Sequence, residues 1–177
     1  MQSYILLDRD GVINEDSVGY IKSTEEWEPI PGSLEAISLF NQKGYKVIVI
    51  TNQSGIGRGL YDEESMIKIH QKMEKMVEEK GGMIEKIYYC PHDPDLNCSC
   101  RKPQPGMFNA FSKEYNRPLS DLYYVGDKLA DIQVALAVGA KPILVKTGKG
   151  QETLKNNPEI SSPIFENLYD AAKFITA

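Results

Sequence analysis

Tyr4-Ile-Leu-Leu-Asp-Arg-Asp-Gly-Val-Ile-Asn14 begins with a short apolar run, Tyr4 to Leu7, that reads as a buried strand. Two carboxylates one residue apart follow it at once. In an open α/β sheet, ligands bind beyond the carboxyl ends of the strands, so Asp8 and Asp10 stand where chemistry usually sits. If the chain stays extended, strand alternation puts both acids on one face and turns Arg9 away. Gly11 then permits a tight exit. Neighbouring carboxylates repel unless a cation or a shared proton relieves them, so the pair points to Mg2+ or to acid/base work. Taken alone, Asp-x-Asp-Gly also fits a solvated turn.

Working outward, Glu15 to Pro31 has no clear period and reads as an irregular loop that brings Gly19 and Tyr20 near the acid pair. Ser33 is a plausible N-cap for a helix through Lys43, with Leu34, Ile37 and Phe40 on one face and Gly44 at its end. Tyr45 to Ile50 is β-branched and nearly all apolar, as a central parallel strand would be. Strand, helix and strand make a right-handed βαβ unit, and the class is an α/β sandwich.

That strand runs into Thr51-Asn-Gln-Ser-Gly-Ile-Gly-Arg-Gly59, a loop of hydroxyls, amides and glycines suited to cradling an oxyanion through close backbone N–H groups. It lacks the lysine of a P-loop, and a flexible turn is the bland alternative. Asp62 caps a helix to about Lys80 whose stripe is Met66, Ile69, His70, Met73, Met76 and Val77. Such a stripe is usually core, so His70 is assigned no catalysis. Met83 to Tyr89 fits a third strand, Met107 to Tyr115 a helix, Leu122 to Val125 and Pro142 to Val145 two more strands. Gly148 to Pro158 reads as a polar loop, and Asn167 to Ile175 as a closing helix.

Cys90-Pro-His92 followed by Cys98-Ser-Cys100 supplies four soft or borderline ligands, which suits a closed, structural Zn2+ site. All three cysteines lie in this stretch, which argues against a disulfide framework. Arg101-Lys102-Pro103 comes next, two cations held by a rigid loop and fit for a phosphate. Gly126-Asp127-Lys128-Leu-Ala-Asp131 then adds two carboxylates, completing an oxygen-rich site for Mg2+ with Asp8 and Asp10.

A length of 177 residues fits one domain, 1–177, with the loop 90–100 inserted. Net charge is −5 with the two signs interspersed, so no basic face invites nucleic acid. No long apolar run or leader pattern is present, and a cytoplasmic, monomeric protein with no membrane contact is expected.

The order Asp8-x-Asp10-Gly11, Thr51-Asn52, Lys102, then Gly126-Asp127 with Asp131 resembles the four motifs of the haloacid dehalogenase (HAD) superfamily of phosphatases, from about Tyr4 to Gly148. The Cys-x-His…Cys-x-Cys loop before Arg-Lys-Pro is similar to that of its zinc-bearing subgroup, which includes heptose 1,7-bisphosphate and histidinol-phosphate phosphatases. Thr51–Gly59, Arg101–Met107 and Gly126–Asp131 look more like the heptose members. The five residues between His92 and Cys98 resemble the shorter loop of the histidinol-phosphate members, and Asp16 to Tyr20 is one residue longer than the heptose pattern.

The resemblance implies a Rossmann-like three-layer sandwich with a mainly parallel central sheet, and the motif spacing leaves no room for a folded cap. It implies a hydrolase acting on a small phosphorylated sugar, with Asp8 as nucleophile and Asp10 as general acid/base. Mg2+ would be held by Asp8, the Asp10 carbonyl and Asp127, with Asp131 in support. Thr51, the Asn52 N–H and Lys102 would steady the transferring group. Arg101, Lys128, Gln53, Ser54, Gly19 and Tyr20 are candidates for the rest of the substrate. A zinc-dependent binding module without catalysis is the reading from another class, and it would leave the acid pairs unused.

Overall fold

In the computed structural model, which describes residues 1–177, β1 (Ser3–Leu7) runs through the middle of a six-stranded sheet and its side chains divide the interior in two. Ile5 and Leu7 enter one hydrophobic layer, Tyr4 and Leu6 the other, as period-two alternation requires of a strand covered on both faces. β2 (Tyr45–Asn52) repeats the pattern with Val47 and Val49 against Ile48 and Ile50. The other strands are β3 (Ile84–Cys90), β4 (Tyr123–Gly126), β5 (Lys141–Val145) and β6 (Ile164–Phe165). Their order is β3-β2-β1-β4-β5-β6, and every pairing is parallel. The order reverses between β1 and β4, which opens a crevice at their carboxyl ends.

One face of the sheet is covered by α1 (Ser33–Gln42), α3 (Glu63–Glu79) and α7 (Leu168–Ile175), whose apolar sides join Ile5 and Leu7. The other is covered by α4 (Gly106–Glu114) and α5 (Leu129–Ala137), with Phe108, Phe111 and Val134 against Leu6 and Ile50. Two short helices, α2 (Ser54–Gly57) and α6 (Gly150–Asn156), follow β2 and β5. The three-layer sandwich is as expected, the sheet is wholly parallel, and no large cap is present. No helix is long and apolar enough to cross a membrane.

Several boundaries differ from the sequence reading. Gly32, not Ser33, occupies the N-cap position of α1, and the Ser33 hydroxyl instead donates to the Ile13 carbonyl at 2.6 Å, tying the helix start to the first loop. The 148–158 stretch contains α6 rather than a continuous loop. Its signal is absent from the sequence because no apolar stripe holds it; Thr153 Oγ1 donates to the Asp127 carbonyl at 2.8 Å instead. β6 is two residues long and pairs with Leu144 and Val145, too short for a pattern to reveal.

The irregular loop over residues 15–31 is packed from below by Trp27, fully buried against α3. Lys72 of α3 donates to the carbonyls of Thr24 and Trp27, both at 2.7 Å, and lies 5.8 Å from the Trp27 ring centre. Lys72→Met should cost about 1–3 kcal/mol by leaving those carbonyls without a donor. A lower urea midpoint with an unchanged slope would show it; an unchanged midpoint would mean water replaces the ammonium freely.

Candidate active site

Leu7 lies opposite both Val49 and Val125, so Asp8 leaves β1 between the ends of β2 and β4. Its N–H donates to the Val125 carbonyl at 2.9 Å. Around it opens a cavity of about 350 Å³ lined by Asp8, Asp10, Asn52, Arg101, Lys102 and Lys128, together with Ser54, Tyr20 and Lys149. The fold thus brings together residues from six separate segments of the chain.

Lys102 is buried at the cavity floor. Its ammonium reaches Asp8 Oδ1 at 3.0 Å, Asp131 Oδ1 at 2.8 Å, Tyr124 Oη at 2.7 Å and the Ile50 carbonyl at 3.2 Å. The Asn52 side chain grips the Lys102 backbone on both sides: Lys102 N donates to Asn52 Oδ1 at 3.0 Å, and Asn52 Nδ2 to Lys102 O at 3.2 Å. Asp131 Oδ2 accepts the N–H groups of Asp127 (3.1 Å) and Lys128 (3.0 Å). Both Asp131 oxygens are therefore engaged, and this acid supports Lys102 and the β4–α5 turn. Burial would raise its pKa, but Lys102 and Lys128 hold it below the ordinary carboxylate value.

Asp8 and Asp127 are different. Burial pushes Asp8 up to about 8, with Asp131 adding to the rise and Lys102 and Lys128 opposing it. Burial likewise takes Asp127 to about 6, against the pull of Lys128. Asp8 Oδ1 accepts the Arg9 N–H at 2.8 Å, whereas Oδ2 has no protein donor. Asp127 Oδ2 accepts the Lys149 N–H at 2.8 Å, while Oδ1 is buried without a hydrogen bond. Oxygens of Asp8, Asp127 and Asp131 lie within 4.8 Å of one another. Crowded, under-paired carboxylate oxygens fit a hard divalent cation such as Mg2+. Two glycines permit this crowding. A Cβ on Gly11 (φ +83°) would sit 2.0 Å from Asp127 Oδ2, and one on Gly148 (φ +57°) 2.4 Å from the same atom.

Asp10 shares the cavity, but not by staying in an extended strand. β1 stops at Leu7, and the N–H groups of Val12, Ile13 and Asn14 all turn back to the Arg9 carbonyl. Arg9 does point away from the cavity, as expected, yet its fully buried guanidinium curls back to Asp10 Oδ1 through Nε (3.0 Å) and Nη2 (2.7 Å). Burial acts to raise the Asp10 pKa, but Arg9 and the Asn14 amide hold it below the ordinary value.

The remaining candidates divide. Tyr20 (φ +68°), Ser54, Arg101 and Lys128 line the cavity. Lys128 pairs with Asp16 at 3.3 Å and Asp127 at 3.6 Å; Arg101 Nη1 is buried without a partner. Thr51 and Gln53 are buried behind the lining, where Gln53 Nε2 donates to Thr51 Oγ1 at 2.9 Å and to Asp10 Oδ2 at 3.0 Å. Gly19 is exposed and stands off the cavity; its carbonyl accepts from Lys22. The Thr51–Gly59 loop is shorter than expected, because Thr51 and Asn52 still belong to β2 and α2 takes the next turn.

Cys90, His92, Cys98 and Cys100 converge beside this site with no disulfide among them. Cys100 Sγ is 2.8 Å from Cys90 Sγ, 3.6 Å from Cys98 Sγ and 3.1 Å from His92 Nδ1. A tetrahedron with Zn–S bonds of about 2.3 Å has edges of roughly 3.8 Å, so the cluster fits a structural Zn2+ with small adjustment. The loop is pinned to the end of α2, since Gly57 N donates to the Pro91 carbonyl at 2.8 Å.

A family profile described as HAD-hydrolase-like matches residues 99–171. A D-glycero-beta-D-manno-heptose-1,7-bisphosphate 7-phosphatase of Pseudomonas putida is 48% identical over 169 residues, covering 96% of this chain and 97% of its own. The chain belongs to this family of HAD-like hydrolases. The Neisseria meningitidis heptose-bisphosphatase is 45% identical over 175 residues, 97% of this chain and 93% of its own. The crystal structure of the Bordetella bronchiseptica member of the family, complexed with magnesium and phosphate, superposes with a TM-score of 0.94 at 41% identity, covering 98% of this chain and 97% of that one.

Sequence reasoning missed Arg9, Asn14, Tyr61, Tyr124 and Lys149 as neighbours of this heptose-phosphatase-like site. Only Arg9 carried a signal, as a charged residue between two acids at a buried strand end. A larger cavity of about 650 Å³ at the amino ends of β4 and β5, lined by Leu129, Ile132, Leu136 and Pro142, holds no comparable cluster of charges.

Proposed function

We propose that the protein is a Mg2+-dependent phosphomonoester hydrolase that removes the 7-phosphate of D-glycero-beta-D-manno-heptose 1,7-bisphosphate. The reading is carried by the near full-length 48% identity to an enzyme of that name. The geometry agrees with it: a small, highly charged cavity with a nucleophile, an acid and several cations is built for a compact dianion, and Arg101 and Lys128 remain for a second anionic group.

Asp8 Oδ2, without a protein donor, attacks phosphorus as the bond to the sugar oxygen breaks, leaving an aspartyl phosphate. Asp10 delivers a proton to the leaving oxygen, then removes one from the water that hydrolyses the intermediate and restores Asp8. Asp10 is ionised before substrate arrives; a phosphate dianion beside it raises its pKa and lets it carry that proton. Lys102 neutralises Asp8 and steadies the transferring oxygens, with the Asn52 backbone and Ser54 beside it. Asp8, Asp127 and the Asp10 carbonyl are the Mg2+ ligands in this reading, and the bound ion offsets the repulsion between carboxylate and phosphate. Cys90, His92, Cys98 and Cys100 hold structural Zn2+. Every group lies in one chain, so a monomer suffices and residues 1–177 act as one domain.

Phosphate release with Mg2+ should strongly favour the heptose bisphosphate over histidinol phosphate. A preference for histidinol phosphate would instead make the short loop between His92 and Cys98 the better guide to substrate.

A further inference from the structure

The structure assigns Arg9 and His70 as positioning residues for proton transfer: the guanidinium, anchored at its far arm by the imidazole, fixes the Asp10 carboxyl so that Oδ2 is the working oxygen. The inference rests on the phosphatase reading above. Arg9 is wholly buried, and its side chain has two partners only. Nε and Nη2 both go to Asp10 Oδ1, and Nη1 meets His70 Nε2 at 3.1 Å. Asn14 Nδ2 adds a third donor to the same Oδ1 at 2.9 Å. Oδ2 accepts from Gln53 Nε2 alone, at 3.0 Å, and Gln53 is itself held by the Tyr61 hydroxyl at 2.5 Å.

The carboxyl is thus loaded on one oxygen and lightly held on the other. Three donors on Oδ1 prevent rotation, while Oδ2 keeps lone-pair capacity for a proton. His70 explains why the fork stays aimed. Guanidinium can only donate, so Nε2 must accept and the ring proton sits on Nδ1. A neutral acceptor satisfies Nη1 without competing for the charge, whereas a carboxylate there would draw the guanidinium away from Asp10. Burying an arginine carries a desolvation penalty that an apolar side chain would avoid, so a purely structural role explains it poorly.

In the step at issue, the P–O bond to the leaving group breaks, the Asp8–P bond forms, and the Asp10 Oδ2 proton moves to the leaving oxygen. A sugar alkoxide needs that proton; p-nitrophenolate does not. The test compares kcat/KM, which reports this first step, for the heptose bisphosphate and for p-nitrophenyl phosphate. His70→Leu and Arg9→Lys should each lower it about tenfold or more on the sugar and by less than about twofold on the aryl ester, within the range that general acid catalysis supplies. His70→Gln, which keeps an acceptor near Nε2, should recover most of the loss. Equal losses on both substrates, or none, would overturn the inference. If His70→Leu does not fold, Arg9→Lys carries the comparison alone, because it keeps the charge and removes the fork. If the wild type hydrolyses neither ester, the phosphatase reading fails, and the Asp10 rotamer in crystals of Arg9→Lys decides the inference: an unchanged carboxyl overturns it.

Discussion

Asp8→Asn should release no measurable phosphate with Mg2+ present, a loss on the order of 10^4-fold or more, as when a covalent nucleophile is removed. The amide is a poor nucleophile and cannot form the acyl phosphate. The same substitution should stabilise the metal-free protein. The folded state keeps the Asp8 proton to about pH 8, whereas the unfolded chain gives it up near 3.8. Between those values the folded state binds more protons, so stability falls as pH rises. The asparagine variant escapes that decline. Its Tm advantage over the wild type in chelator should therefore widen from about pH 5 to about pH 8, and shrink when Mg2+ is added. Residual turnover would remove Asp8 from the nucleophile's role; a Tm difference flat with pH would mean that burial of this acid is not penalised.

Cys100→Ser is expected to have the second largest effect, because its sulfur touches the other three members of the cluster. Metal analysis should find the zinc gone. Structural zinc contributes folding energy outright, and a loss of even about 3 kcal/mol lowers Tm by about 6–12 °C in a chain of this size. The kinetic consequence should fall on KM. Arg101, whose N–H lies 3.4 Å from Cys98 Sγ, loses its support, whereas Lys102 is held independently by Asn52. Stoichiometric zinc in the variant would mean that the ligand set is wrong, and a fall in kcat with KM unchanged would mean that the loop serves the chemistry directly.

What could be read from the sequence was whatever repeated or clustered. The alternation of Ile5 and Leu7 against Tyr4 and Leu6, the Val/Ile run of β2, and Asp62 accepting from Ser65 N at the start of α3 are local consequences of local residues. The acid pairs and the zinc cluster were equally plain, because their chemistry lies in spacing. What escaped depended on long-range partners. His70 sits on a stripe that reads as core, and it is core; its contact with Arg9 bridges 61 positions and leaves no local trace. Tyr124 looked like one more strand residue until Lys102 arrived beneath it. The helix at Gly150–Asn156 owes its position to Thr153 reaching Asp127, not to a hydrophobic period.

The two ends of the zinc loop are fastened separately. The Cys90 carbonyl takes the Gln53 N–H at 2.8 Å where β3 stops, and the Lys102 backbone is clasped by Asn52 where the loop returns. The stretch between His92 and Cys98 holds none of the four ligands, so its length can change while both fastenings and the cluster stay in place. In evolutionary terms the segment is a splice point, and a lineage could change what it dephosphorylates by insertion or deletion alone. New specificity would then arrive as a change of length, with the reacting residues inherited intact.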